Sequence, residues 1–285
     1  MQPNARTRTL QLLCLGSATV ALGGCSFLGL GGKSHKAQGY GAPAYGAAAP
    51  AGPCCGERFS QFNVEAAGGV SMIAAGDMVT GRNTHQLPGN NVRDISFDTL
   101  YEDGYRVEAG VNTALAPNTK LTVMGNYAEY GSEGVVDWGS IDGQQLTGAL
   151  SDYTTYGAEA GLRQYAPVAA APILNTVRPY LEGRVGANYV EGIDIEGGTL
   201  GGLPLAGGAD IGFYDGSWVP TAAGLVGIET KFVGNSTLAL ESGIRYSGAL
   251  KASDDTIDGS SRIAGSNNSK SRWTVPVMLR GRYRF

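Results

Sequence analysis

The stretch Arg272-Trp-Thr-Val-Pro-Val-Met-Leu-Arg-Gly-Arg-Tyr-Arg-Phe285 decides the fold. Trp273, Val275, Val277, Leu279, Tyr283 and Phe285 fall on one parity, and Arg272, Thr274, Arg280, Arg282 and Arg284 on the other. A period of two is that of a strand with one apolar and one polar face. Three arginines on one face of the last six residues cannot point into lipid, so they face water or a polar lumen.

Working outward, the same alternation recurs seven times, over about 60–73, 104–115, 120–130, 154–165, 177–190, 218–232 and 237–248. In the first, Phe62, Val64, Ala66, Val70 and Met72 oppose Asn63, Glu65 and Ser71. In the fifth, Leu181, Val185, Ala187 and Tyr189 oppose Arg178, Glu182, Arg184 and Asn188. The connections alternate in length. Ala116-Pro-Asn-Thr119, 166–176 and Val233-Gly-Asn-Ser236 are short, whereas 74–103, 131–153, 191–217 and 249–271 are long and rich in Gly, Asp, Ser and Asn. A soluble sandwich or lipocalin-like barrel also shows eight alternating strands. Here, however, the polar face mixes acids with arginines, while the apolar face is edged by Tyr105, Tyr127, Tyr156, Tyr189, Tyr246, Trp273, Tyr283 and Phe285. That is the inverted polarity of a membrane barrel with its aromatic girdles. The expected fold is all-β, an eight-stranded antiparallel up-and-down transmembrane β-barrel over 57–285, with termini periplasmic and long loops extracellular.

Composition agrees with this. Charged residues make up 16%, against an average of about 25%, and Gly contributes 45 of 285 residues. The formal net charge of −4 lacks the basic footprint of a phosphate-backbone binder, so no nucleic-acid partner is expected. A mean hydropathy of −0.08 looks soluble, but alternation conceals the apolar face of a barrel strand.

Residues 1–24 read as an export signal: Arg6 and Arg8, the apolar run Leu10–Leu22, then small residues. Leu22-Gly-Gly-Cys25 resembles the lipobox of bacterial lipoproteins. That resemblance implies acylation of Cys25 (palmitate among the chains), outer-membrane sorting with Ser26 as the next residue, and the lipoprotein sorting machinery as a partner. Cleavage removes Arg6 and Arg8 and leaves 19 basic and 25 acidic residues, a net of −6. The Gly/Ala/Pro/Tyr stretch within 25–56 reads as a tether.

Residues 59–285 resemble the OmpA-type eight-stranded outer-membrane β-barrel family. In that family a terminal aromatic strand such as Arg282-Tyr283-Arg284-Phe285 is the signal read by the barrel-assembly machinery, with Tyr283 and Phe285 the residues concerned. The resemblance implies outer-membrane lipid as surroundings.

An eight-stranded barrel is filled by its own side chains. The inward face holds six acids (Glu65, Glu108, Glu159, Glu182, Glu229, Glu241) and nine bases (Arg106, Arg163, Arg178, Arg184, Lys231, Arg245, Arg280, Arg282, Arg284). Glu229 and Glu241 flank the short turn at 233–236 and are expected at similar depth, joined by Arg280 in a cluster that plugs the lower lumen. An ion path gated by these charges is the alternative.

No catalytic, cofactor-binding or metal-binding residue is assigned. His85 beside Asp77 or Asp94 has the residue types for acyl transfer, but a lone histidine in a Gly/Asn-rich loop reads as solvated. His35 lies in the tether, and Gly31-Gly-Lys-Ser34 matches only the end of a P-loop. Cys54-Cys55 is expected either to pair between chains, giving a homodimer, or to be inert. Asp254-Asp255 reads as a solvated acidic loop. The expected function is that of a non-enzymatic envelope protein whose loops meet the environment, a surface polymer or a partner. The alternatives are a narrow pore and a lipid-modifying barrel enzyme.

Overall fold

The computed structural model describes residues 62–81, 89–166, 177–204, 211–254 and 263–285. Eight long strands close into a barrel: β1 Phe62–Ala75, β2 Gly104–Ala116, β3 Thr119–Tyr130, β4 Tyr153–Tyr165, β5 Val177–Val190, β6 Ser217–Lys231, β7 Ser236–Ser247 and β8 Arg272–Arg284. Each pairs antiparallel with its neighbours in sequence, and β8 closes on β1 with Val64 opposite Tyr283 and Val70 opposite Val277. The all-β, up-and-down expectation holds, and the fifth strand keeps its expected bounds.

The alternation works as its chemistry demands. Outward side chains are apolar and exposed, with Leu181 at 64% and Val185 at 67% of their full accessibility, while Glu182 and Arg184 between them are buried. At the end carrying the long connections, Tyr127, Tyr156, Tyr189 and Trp218 stand opposite one another across β3 to β6. Ring centroids of Tyr156 and Tyr189 are 5.5 Å apart, those of Tyr189 and Trp218 5.7 Å, and those of Tyr246 and Trp273 5.3 Å. At the short-turn end Tyr283 and Phe285 form a second aromatic pair, 5.1 Å apart.

The long connections depart from the loop expectation. They build a second sheet, in the order Lys251–Ala252, Ile211–Asp215, Ile193–Leu200, Gln144–Leu150, Val136–Ile141 and Asn91–Val92, with Leu203–Pro204 paired to Ile193–Leu200. Two tight turns set its hairpins. Asp142 and Gly143 have φ of 51° and 74°, and Gly201 and Gly202 have φ of 58° and 83°, the positive values that a two-residue hairpin turn of the primed type requires. Asp77–Val79 pairs with Ile95–Ser96, and a single helical turn, Phe97–Leu100, follows. The main apolar core lies among these segments, around Phe97, Leu100, Trp138, Leu146, Ile193 and Phe213. The physical reason is that a lumen filled with charges leaves the barrel no dry interior, so the apolar residues of the long connections bury one another.

Candidate functional site

On a strand, residues i and i+2 share a face, and this builds the lumen from short local pairs. Arg106 donates to Glu108 at 2.9 Å and Arg184 to Glu182 at 2.7 Å, each pair within one strand. Contacts across the lumen then lock the strands together. Arg163 from β4 donates to Glu65 of β1 at 2.7 and 2.9 Å and to Glu182 at 2.7 Å. Arg245 reaches Glu108 and Glu159, both at 2.6 Å. Thr122 donates to Glu182 at 2.7 Å, and Asn112 donates to Glu65.

Arg280 sits at the centre of this network. Its Nη2 donates to Glu241 at 2.7 Å and to Glu108 at 2.8 Å, and its Nη1 donates to Glu65 at 3.2 Å. Of the expected Glu229/Glu241–Arg280 cluster, the structure brings Arg280 and Glu241 together, while the place of Glu229 in it is corrected. Glu229 takes its proton donors from Arg282 at 2.5 Å and Tyr165 at 2.6 Å, while Glu241 has Arg280 and the Tyr180 hydroxyl at 2.8 Å. The cause is register: Glu241 lies opposite Gly227 and Glu229 opposite Ala239, so the two carboxylates are staggered by two residues and meet different arginines.

Six buried glutamates thus pair with six of the seven buried arginines, Arg106, Arg163, Arg184, Arg245, Arg280 and Arg282, the seventh being Arg272. The three further bases of the inward face, Arg178, Lys231 and Arg284, line the short-turn mouth instead, together with Lys120, which the strand pattern did not single out. Toward the other end a polar cavity of about 20 Å³ lies between Arg106, Thr155, Glu159, Thr221 and Arg245, room for one water molecule.

Arg272, on the polar face of the last strand, joins lumen to cap. Its guanidinium lies 4.6 Å from the Tyr153 ring centroid and 5.3 Å from that of Phe97. It also donates to the Tyr153 hydroxyl and, at 3.4 Å, to the Gly248 carbonyl oxygen. Phe97, Tyr101, Tyr130 and Tyr153 form the ring cluster at this junction, with centroids 5.4 to 6.1 Å apart. Burial pushes the Tyr101 hydroxyl well above the usual tyrosine range.

The surface of the cap is acidic. Asp98, Glu102, Asp103, Glu133, Glu191 and Glu196 are all exposed. The exposed bases among the described residues of this region are each matched to an acid: Arg93 to Asp137 at 3.1 Å, Lys251 to Asp215 at 2.7 Å and Lys270 to Asp77 at 2.7 Å. Among the described residues no group of three or more His, Cys, Asp or Glu is placed to hold a metal ion. Cys25, Cys54, Cys55, His35, His85 and Asp255 lie outside the described residues, as do the signal segment and the tether.

No family model matches the sequence, and no curated protein matches it. Among solved structures, Neisserial surface protein A aligns over 79% of this chain and 97% of its own, with 14% identity and a TM-score of 0.42. The outer membrane protease OmpT of Escherichia coli aligns over 79% and 97%, with 8% identity and a TM-score of 0.41. Ail, the attachment invasion locus protein of Yersinia pestis, solved with the heparin analogue sucrose octasulfate, aligns over 79% and 99%, with 12% identity and a TM-score of 0.34. Resemblance at this level assigns no activity to the chain.

Proposed function

We propose that this chain is an outer-membrane β-barrel lipoprotein of the OmpA-type architecture, anchored through an acylated Cys25 and non-enzymatic, whose folded cap faces outward as the contact surface for a partner or surface polymer. The observation that carries the reading is the division of labour between a lumen closed by ion pairs and a cap with its own sheet and apolar core. A rigid platform holds contact groups in place without the entropy cost of ordering flexible loops. Its unmatched carboxylates favour partners of positive charge, or divalent cations bridging to another anionic surface.

Membrane insertion is supported by dimensions as well as polarity. Trp273 and Tyr283 lie at opposite ends of β8, ten residues apart. At about 3.3 Å per residue and a tilt of about 40°, this gives about 25 Å, the height of an outer-membrane apolar band. The Tyr283/Phe285 strand end then serves as the barrel-assembly signal. For Cys54-Cys55 the reading carried forward is a disulfide link between chains or an inert pair.

The test uses outer membranes from cells expressing the full chain: mass spectrometry of the mature N-terminus, electrophoretic mobility of unheated against boiled protein, and protease accessibility of the cap on intact cells. An acylated Cys25, a heat-modifiable band and cleavage from outside are expected. A soluble, unmodified protein with one mobility would overturn the assignment. Cleavage only after the membrane is opened would invert the orientation.

A further inference from the structure

The short-turn mouth of the barrel carries an excess of charge that the lumen network does not absorb. A cavity of about 320 Å³ opens there, lined among the described residues by Lys120, Arg178, Lys231, Arg282 and Arg284 with a single carboxylate, Glu229. The bases converge by construction. Arg178 stands opposite Glu229 in the strand pairing, Arg284 opposite Asn63, and Arg282 opposite Glu65, so four strands deliver their last inward residues to one ring. Two of these bases also lie against the Tyr165 ring, the Arg178 guanidinium 4.7 Å and the Lys120 ammonium 5.3 Å from its centroid.

Glu229 is already engaged, accepting from Arg282 and from Tyr165. Two guanidinium nitrogens at this mouth have no hydrogen-bond partner although they are shielded from solvent: Nε of Arg178, and Nη2 of Arg282, a residue only 6% exposed. Buried donors on a charged group are costly to leave unmade. With Arg282 paired to Glu229 and Glu65, four further cations and two idle N–H groups form a receptor for an anion rather than a packed structural cluster. Planar guanidinium groups beside ammonium groups suit phosphate oxygens, which accept several charge-assisted hydrogen bonds at once.

We infer that the short-turn mouth is a binding site for a phosphate-bearing group carrying two or more negative charges. The group reaches the cavity either as a soluble phosphate compound or as the headgroup of an anionic phospholipid in the adjacent leaflet.

The experiment uses the full chain in dodecyl maltoside, a phosphate-free detergent, and follows inorganic pyrophosphate binding by calorimetry at fixed ionic strength. The variants are Arg178→Gln and Lys231→Gln, which leave the carboxylate–arginine network of the lumen intact; retention of the heat-modifiable band shows that each still folds. Saturable one-to-one binding to the parent is expected, weakened about tenfold or more by Arg178→Gln and further in the double variant. The source is then separated in nanodiscs. If phosphatidylglycerol, against a phosphatidylcholine control, competes with pyrophosphate in an Arg178-dependent way, the ligand is a lipid headgroup. If pyrophosphate binds equally in both discs, it is soluble. Absence of binding in both detergent and discs, or binding that survives both substitutions unchanged, would overturn the inference.

Discussion

Arg280→Met removes a charge at the centre of the lumen while keeping most of the side-chain volume, and its consequences differ among the three carboxylates it touches. Glu65 retains Arg163 at 2.7 Å and Arg282 at 2.7 Å. Glu108 retains Arg106 at 2.9 Å, Arg184 at 2.7 Å and Arg245 at 2.6 Å. Glu241 keeps only the Tyr180 hydroxyl at 2.8 Å and a distant Arg184 at 3.7 Å. The deficit therefore concentrates on Glu241, a carboxylate that is 1% exposed.

Breaking a buried pair by removing one partner costs about 3–5 kcal/mol, because the other charge stays buried and uncompensated. With a urea dependence of about 2 kcal/mol per molar, the unfolding midpoint should fall by about 1.5–2.5 M. Adding Glu241→Gln removes the orphaned charge and leaves an amide that still accepts from Tyr180. The double variant should recover to within about 1 kcal/mol of the parent, a rescue of about 2–4 kcal/mol relative to Arg280→Met. Glu229→Gln in the same background should rescue nothing, since Glu229 bonds to Arg282. The assay is urea unfolding in lipid vesicles, followed by tryptophan fluorescence and by the mobility of unheated samples. An unchanged midpoint for Arg280→Met, or equal rescue by the two glutamine substitutions, would refute the partner assignment.

Three further outcomes follow from the cap. Arg272→Met strips the cation from the Tyr153 and Phe97 rings and should loosen the junction by about 2 kcal/mol, seen as faster hydrogen exchange over Phe97–Tyr101 with barrel strands unchanged; unaltered exchange there would count against the cation–π plug. Trp138→Ala empties a site that is 1% exposed and packed 5.3 Å from Phe213. A cost of about 3–5 kcal/mol is expected, read as protease nicking in the long connections while the heat-modifiable band persists. The hydrogen bond from Lys251 holds the Asp215 carboxyl below its ordinary 3.8. A depressed folded-state pKa contributes stability that is present above 3.8 and is lost as pH falls through the lowered value. At so exposed a site the contribution is small. Lys251→Gln should move the Asp215 titration, followed by NMR, back up toward 3.8; an unmoved titration would show that Lys251 is not the cause.

The barrel was legible because its information is local. Alternation along ten to fifteen residues states which side chains face inward, and the Arg280/Arg282 parity is visible in the last strand alone. The ion-pair partners were not legible, because they are set by distance across the lumen. Arg163 and Glu65 are 98 residues apart and on strands that do not pair. A two-residue stagger in register was enough to give Glu229 to Arg282. The cap was missed although its signals were present. Asp142-Gly143 between Ile141 and Gln144, and Gly201-Gly202 between Leu200 and Leu203, are two-residue hairpin turns, and solvated loops have no use for Phe97, Tyr101, Trp138, Phe213 and Tyr214. Gly-rich composition masked a set of strands too short to show a period.

The wiring of the lumen bears on where function resides. Arg280 bridges three carboxylates, and Arg163, Arg184 and Arg245 bridge two or more each, so no single rotamer change clears a path. Releasing even one such arginine at about 3–5 kcal/mol leaves it displaced for only about one part in 10² to 10⁴ of the time. A continuous opening needs several to move together. Every buried glutamate of the interior is paired with an arginine, whereas the two ends carry an excess of one sign: exposed carboxylates on the described part of the cap, and at the short-turn mouth the cations beyond the Arg282–Glu229 pair. An interlocked, ion-paired wall between two oppositely charged ends separates them, so each end selects its ligands by its own sign of charge.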